Sequence, residues 1–207
     1  MEKFVLVNDT NENVRVAIFK QSYKRPNMKL AIWDVKSIPK NGGSVEVEMP
    51  TTYDVYCNYP RNKNDPEDPY AGIKTGMIQI DLETARFVVE DVDEDATDNN
   101  GKNVTIRRQF TDLEPGEIHI VNQASRAVWC HILMNGTDVY PPRLISPGRI
   151  LMENVKTPIY VDIVDQYVFN GDEIVQEELS IEPKLVCSGE VVTIRGSKWT
   201  GYALETR

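Results

Sequence analysis

The residues of this 207-residue chain whose spacing invites chemistry first are four carboxylates, Asp91, Asp93, Asp95 and Asp98, inside the run Glu90 to Gly101. Calcium takes about six to eight oxygen ligands from loops of this kind. Two features of the EF-hand pattern are missing, because Ala96 stands where the sharp turn needs glycine and Lys102 stands where a bidentate glutamate would close the site. A solvated acidic linker accounts for the same residues and is the preferred reading. Calcium is the alternative cofactor, and no other cofactor is expected.

The two histidines, His119 and His131, and the three cysteines, Cys57, Cys130 and Cys187, are the other metal-binding types. Cys130 and His131 are adjacent in a strand pattern, so they point to opposite faces and cannot share one ion without a bulge. A buried thiol and a surface imidazole are expected there. All three thiols lie in strand or strand-edge patterns and are expected to be buried and slow to react. An odd number of cysteines without C-x-x-C spacing favours reduced thiols in a cytoplasmic setting. The opening Met-Glu-Lys-Phe-Val-Leu-Val carries too short an apolar run for a leader peptide.

Nucleophilic motifs are missing from the sequence: it has no G-x-S-x-G, no phosphate-binding loop and no G-x-G-x-x-G. No carboxylate stands out by an apolar setting that would raise its pKa. No catalytic residue is assigned, and the chain is read as non-enzymatic. A formal charge of −9 repels phosphates and anionic lipid heads, so neither nucleic acid nor membrane is an expected partner.

The aromatics carry more information. Tyr53, Tyr56, Tyr59 and Tyr70 flank the polar Pro60–Pro69 loop, and Tyr160, Tyr167 and Phe169 mark a second such region. Tyrosines at strand ends serve interfaces and stack on sugar rings, so carbohydrate is the alternative ligand. Trp33, Trp129 and Trp199 are expected as core or edge anchors.

The elements that must position these residues are strands. Apolar and polar residues alternate with period two through Val14 to Ile18, Val45 to Glu48, Tyr53 to Cys57, Ile78 to Ile80, Val104 to Ile106, Ile118 to Ile120 and Val191 to Ile194. Asn41-Gly42-Gly43, Asn135-Gly136, Pro147-Gly148 and Asn170-Gly171 read as turns. The pattern predicts an all-β fold of about a dozen strands.

Sliding the chain against itself aligns Phe4-Val5-Leu6-Val7-Asn8 with Ile118-His119-Ile120-Val121-Asn122. Val14, Val16, Ile18 and Phe19 then fall on Val128, Cys130, Ile132 and Leu133 without a gap. Further on, Pro50 and Tyr53 match Pro158 and Tyr160, and Gly76–Ile80 matches Gly189–Thr193. The expectation is two tandem sandwich-like antiparallel β units related by internal duplication, over residues 1–90 and 104–207, joined by the acidic linker 91–103.

The rhythm Val7-Asn8, Ala17-Ile18-Phe19-Lys20-Gln21, Pro26, Leu30-Ala31-Ile32-Trp33, Pro39 and Tyr53-Asp54-Val55-Tyr56 resembles the opening unit of the bacterial rhizosphere-expressed protein family. Ile132 to Thr137, Pro141-Pro142 and Tyr160 to Ile163 are similar to that family's later segment. Tyr56 stands where the family has tryptophan. The resemblance implies a fold and no chemistry.

Many strand edges need cover, and another subunit is one cover. The leading expectation is therefore a structural or assembly protein, a homo-oligomer, with Phe4, Val5, Leu6, Val7, Tyr56, Tyr59 and Tyr70 at the interface. Four consecutive apolar residues cannot all face one core, whereas Glu46, Glu48 and Pro50 guard their own edge. A calcium-dependent or carbohydrate-directed binding module is the alternative, and an enzyme the third reading.

Overall fold

The computed structural model describes residues 2–22, 29–60, 68–81, 84–92, 103–179 and 181–207. They form β1 (Lys3–Asn8), β2 (Val14–Lys20), β3 (Leu30–Ile38), β4 (Gly43–Glu48), β5 (Thr52–Tyr59), β6 (Ile73–Lys74) and β7 (Ile78–Asp81). Next come β8 (Ala85–Asp91), β9 (Val104–Gln109), β10 (Glu117–Asn122), β11 (Val128–Met134), β12 (Thr137–Asp138) and β13 (Arg143–Ile145). The chain ends on β14 (Ile150–Asn154), β15 (Ile159–Ile163), β16 (Glu173–Ile174), β17 (Lys184–Val186), β18 (Val191–Ser197) and β19 (Gly201–Thr206). Among the described residues the only helical piece is a 3-10 turn, Gln176–Glu178, and no helix is long and apolar enough to cross a membrane. The fold is all-β, as the alternation predicts.

The compact units do not follow the expected halves. One comprises Met1–Thr51, Thr137–Tyr140 and Thr157–Arg207; the other comprises Thr52–Gly136 and Pro141–Lys156. The division falls after β4 because β5 does not pair with β2. Instead β5 lies antiparallel to β11, and β15 lies antiparallel to β2. Of the expected linker, Asp93, Asp95 and Asp98 lie outside the described residues.

The first unit holds two sheets, ordered β19-β18-β1-β4 and β16-β3-β2-β15-β17. In β1, Phe4 and Leu6 are fully buried while Val5 and Val7 are half-buried. The strand has a neighbour on each side, β18 parallel and β4 antiparallel. The expected unguarded edge at Phe4–Val7 is therefore an interior strand. β2 is buried almost throughout, because its second face is also covered. Ala17 and Phe19 pack there with Leu30, Ile32, Val164 and Ile174. Burial on both faces removes the alternation over Val16 to Lys20.

The second unit has a sheet ordered β14-β10-β8-β9, with β10 parallel to β8 and antiparallel to β14. In its other sheet β11 and β5 pair, β13 extends β11, and β6 and β7 extend β5. Gly76–Ile80 and Gly189–Thr193, matched in the sequence alignment, are paired differently: β7 lies beside β5, whereas β18 lies between β1 and β19.

Asn8 and Asn122 make the same bonds. Asn8 donates its amide to the carbonyls of Glu12 and Ile38 at 2.8 and 3.0 Å, and its Oδ1 accepts from Thr10 N at 3.0 Å. Asn122 donates to the carbonyls of Arg126 and Ile145, both at 2.8 Å, and accepts from Ala124 N at 3.0 Å. Each asparagine's own carbonyl accepts a turn N–H at 2.7 Å, from Gly42 and from Gly148. Both glycines have positive φ, 84° and 75°, which permits the turn without strain.

Each of these side chains has no exposed surface. Truncation would leave buried carbonyls and an N–H unmatched, at about 2–4 kcal/mol. Asn8→Ala and Asn122→Ala are each expected to lower unfolding free energy by that amount in urea titrations. The exposed Asn13, whose Oδ1 takes only Lys40 N, should cost under about 1 kcal/mol when changed to Ala.

Candidate functional site

Of the interface residues named from sequence, four are placed inward. Phe4, Leu6, Tyr56 and Tyr59 are buried, Val5 and Val7 half-buried, and Tyr70 exposed. Tyr59 faces a core position, its ring under the Arg126 guanidinium. Asp91 takes Ser125 N and Oγ on its carboxylate at 3.1 to 3.2 Å, the work of a turn cap. Among the described residues no group of three or more His, Cys, Asp or Glu is arranged to hold a metal.

Three polar groups are buried where surface placement was expected or no environment was read. His131, expected at the surface, has no exposure. Its Nε2 lies 2.7 Å from Asn58 Oδ1 and 2.9 Å from Pro69 O, both acceptors, so that nitrogen carries a proton. Its ring stacks on Tyr56, its cross-strand partner, at 4.4 Å and 4°. Lys20 donates to Thr157 O at 2.8 Å, and burial pushes its pKa down to about 8. Asp162 lies opposite Ala17 in the apolar layer. Burial pushes its pKa up to about 7, against the N–H groups of Ile163 and Ile181, which lower it. The sequence signal was its place between Val161 and Ile163 in a strand.

Cys57 and Cys130 are buried as expected; Cys187 is exposed. It follows β17 at a turn, where its N–H donates to Glu190 Oε2 at 2.7 Å.

Trp199 is not a core anchor. It stands 92% exposed at the tip of the β18–β19 hairpin. Ser197 Oγ accepts from the N–H groups of Trp199 and Thr200 at 3.3 and 3.2 Å, closing the turn. Gly196 is required beneath it, since a Cβ there would stand 2.2 Å from Gly201 O. Glu12, in the turn after β1, takes Lys198 N at 2.7 Å and Tyr202 Oη–H at 2.8 Å on one oxygen. Those donors hold the Glu12 carboxyl below its ordinary value. Burial and then Glu12 push the Tyr202 phenol up to about 12. A tied tip thus presents an unburied indole.

Beside it runs a sheet edge. Val191 and Arg207 exchange both backbone bonds, at 3.1 and 3.0 Å. By the alternation of antiparallel ladders, Tyr202, Leu204 and Thr206 aim their N–H and C=O groups away from β18. The far edge of the same sheet, β4, carries exposed Glu46 and Glu48. In the second unit the edge strand β9 carries exposed Arg107, Arg108 and Gln109. β19 has one charge, Glu205, which pairs with Arg195 at 3.1 Å. The sequence held the hairpin signal in Ser197 to Gly201, but nothing local marked β19 as outermost.

A cleft of about 290 Å³ opens on the second unit, lined by Asp54, Tyr56, Lys74, Thr75, Met77 and Leu133. The Lys74 ammonium stands 5.2 Å from the centroid of the Tyr56 ring.

Comparison with protein-family models, curated proteins and solved structures gave no match to this chain.

Two titrations check this electrostatic picture. Asp162 binds its proton more tightly folded, near pH 7, than unfolded, near ~3.9. Stability should therefore fall as pH rises between about 4 and 7, by at most about 4 kcal/mol, and level off above. Asp162→Asn should flatten that window in urea melts taken at several pH values. Glu12 has the opposite sign: its hold on the tip is present at neutral pH and lost as acid protonates it through its lowered folded pKa. Hydrogen exchange at Lys198, corrected for intrinsic rate, should speed up on acidification, and in Glu12→Ala it should be fast already at pH 7.

Proposed function

We propose that the protein is a non-enzymatic structural β protein that self-associates through the edge of β19. The observation that carries this is Trp199, 92% exposed on a tip held by Glu12, next to an edge strand whose single charge, Glu205, is paired with Arg195. A second copy fits this edge by symmetry. Antiparallel pairing about a twofold axis at Leu204 uses every residue from Gly201 to Arg207 and sets outward-facing groups opposite outward-facing groups. Tyr202 then faces Thr206, and Glu205 faces Ala203 rather than another Glu205. Four strands become eight in one continuous sheet.

The same reading takes the chain as an internal duplication in which each sandwich-like unit is completed by strands of the other half. Support comes from the matching surroundings of β1 and β10 and from the bonds of Asn8 and Asn122. The motifs shared with the rhizosphere-expressed proteins are consistent with membership of that group. Buried Cys57 and Cys130 suit a reducing, cytoplasmic setting.

A second reading, carbohydrate binding, is favoured by the cleft that Tyr56 helps to line, where a sugar would bond to Asp54, Lys74 and Thr75. Glycan-array binding lost in Tyr56→Ala would support it.

Native mass spectrometry and light scattering test the first. Dimer or larger species are expected at tens of micromolar. Trp199→Ala should weaken association by about 10- to 100-fold, Leu204→Pro should weaken it by removing an outward N–H, and Glu46→Lys should leave it unchanged. Because each copy carries −9, added salt should strengthen association. A monomer at that concentration, at both low and high salt, would remove the proposal.

A further inference from the structure

Cys57 and Cys130 are directly opposed residues of β5 and β11 in the core of the second unit. Their sulfurs lie 3.3 Å apart, and both side chains are buried. Cys57 N donates to Thr75 Oγ1 at 3.0 Å, and Cys57 O accepts from Thr75 N at 2.8 Å. Both backbone groups of Cys57 therefore turn away from β11. That makes the cysteines a non-hydrogen-bonded pair, the class whose Cα atoms approach to about 4.5 Å and whose side chains come closest. Such a separation lies within the span of a disulfide, and the sulfurs need to close by only roughly 1.2 Å.

We propose that Cys57 and Cys130 are a redox modification site, joined in a reversible intramolecular disulfide by a hydroperoxide and reopened by a dithiol reductant. One cysteine attacks a peroxide oxygen as its thiolate. The O–O bond breaks, the departing hydroxide takes a proton to become water, and a sulfenic acid remains. The second thiolate attacks that sulfur, the S–O bond breaks, and a second water leaves. Two thiols lose two electrons and two protons, and hydrogen peroxide is reduced to two waters. Burial raises the Cys130 thiol pKa well above its usual value, so the closure is slow and selects a small oxidant. The bond would close a loop between residues 73 apart, which restricts the unfolded chain and stabilises the unit that contains it.

The test uses full-length Cys187→Ser protein, which leaves only the two core thiols. It is treated with a few equivalents of hydrogen peroxide, unfolded in guanidinium with iodoacetamide, and weighed intact. Untreated protein is expected to take two alkyl groups and treated protein none, with the mass lower by two hydrogens. Dithiothreitol should restore both alkylations. The oxidised form should melt several degrees higher, and Cys130→Val should abolish that rise. If Cys130→Val does not fold, the alkylation count on the Cys187→Ser protein decides alone. Two alkylatable thiols after oxidation, a mass gain from sulfinic acid, or a disulfide between chains would each overturn the proposal.

Discussion

A carboxamide sealed from water must find partners for both of its ends inside the protein, and that requirement organises each unit. Asn8 ends β1, and its bonds reach the turn that follows, the last residue of β3 and, through its carbonyl, the turn into β4. Three connections are thereby fixed at one end of the strand. With that end closed, Asp9 N can meet Ile194 O at 2.9 Å, and β18 lies parallel to β1. Asn122 closes its own unit the same way, and Gln123 N meets Val89 O at 2.7 Å. Parallel neighbours cannot be joined by a tight hairpin, so their register has to be set by something other than a local turn. In both units the residue that follows the buried asparagine supplies a bond across the parallel pair, Asp9 N to Ile194 O and Gln123 N to Val89 O.

Magnitudes decide what the β19 edge requires. Burying an indole removes roughly 150–250 Å² from water, worth about 4–6 kcal/mol before costs. Association itself costs about 4–15 kcal/mol in lost freedom. Two tryptophans in a twofold contact would therefore bring the balance near zero, and the ladder between edge strands has to supply specificity and the remainder. This is why the tether at Glu12 matters to the proposal. A tip already fixed loses little further entropy on docking, whereas a loose Trp199 would give back part of its burial. The ion pair between Arg195 and Glu205 contributes less, because both side chains are well exposed and screened.

What was legible in the sequence follows from the range of the interactions involved. Period-two alternation and the turns at Asn41-Gly42 and Pro147-Gly148 are local, and they located strands and hairpins. The likeness of Phe4–Asn8 to Ile118–Asn122 was visible because each asparagine and its i+4 partner lie close together in the chain. Which strand lies beside which was not visible, since β1 gains β18 from the far end of the sequence. The Phe4–Val7 strand therefore looked like an edge. His131 looked like a surface residue because its partners, Asn58 and Pro69, are distant. The later part of the self-alignment, Gly76–Ile80 on Gly189–Thr193, rested on Gly and β-branched residues that recur at many registers, and the two segments pair with different neighbours.

The same strand geometry decides which buried ionisable groups can meet. Lys20 pairs across the strand with Ile159, and Asp162 pairs with Ala17, three residues from Lys20. An odd spacing in a strand puts side chains on opposite faces, so the lysine and the carboxyl are separated by the sheet itself. His131 and Asn58 share a face in the other unit, but their bonds go to each other and to the carbonyls of Pro69 and Ala71. They pin the segment that carries Tyr70. The shifts at Lys20 and Asp162 arise from burial first, and that desolvation is a cost borne by the fold. Groups arranged in this way stabilise or strain the units that contain them.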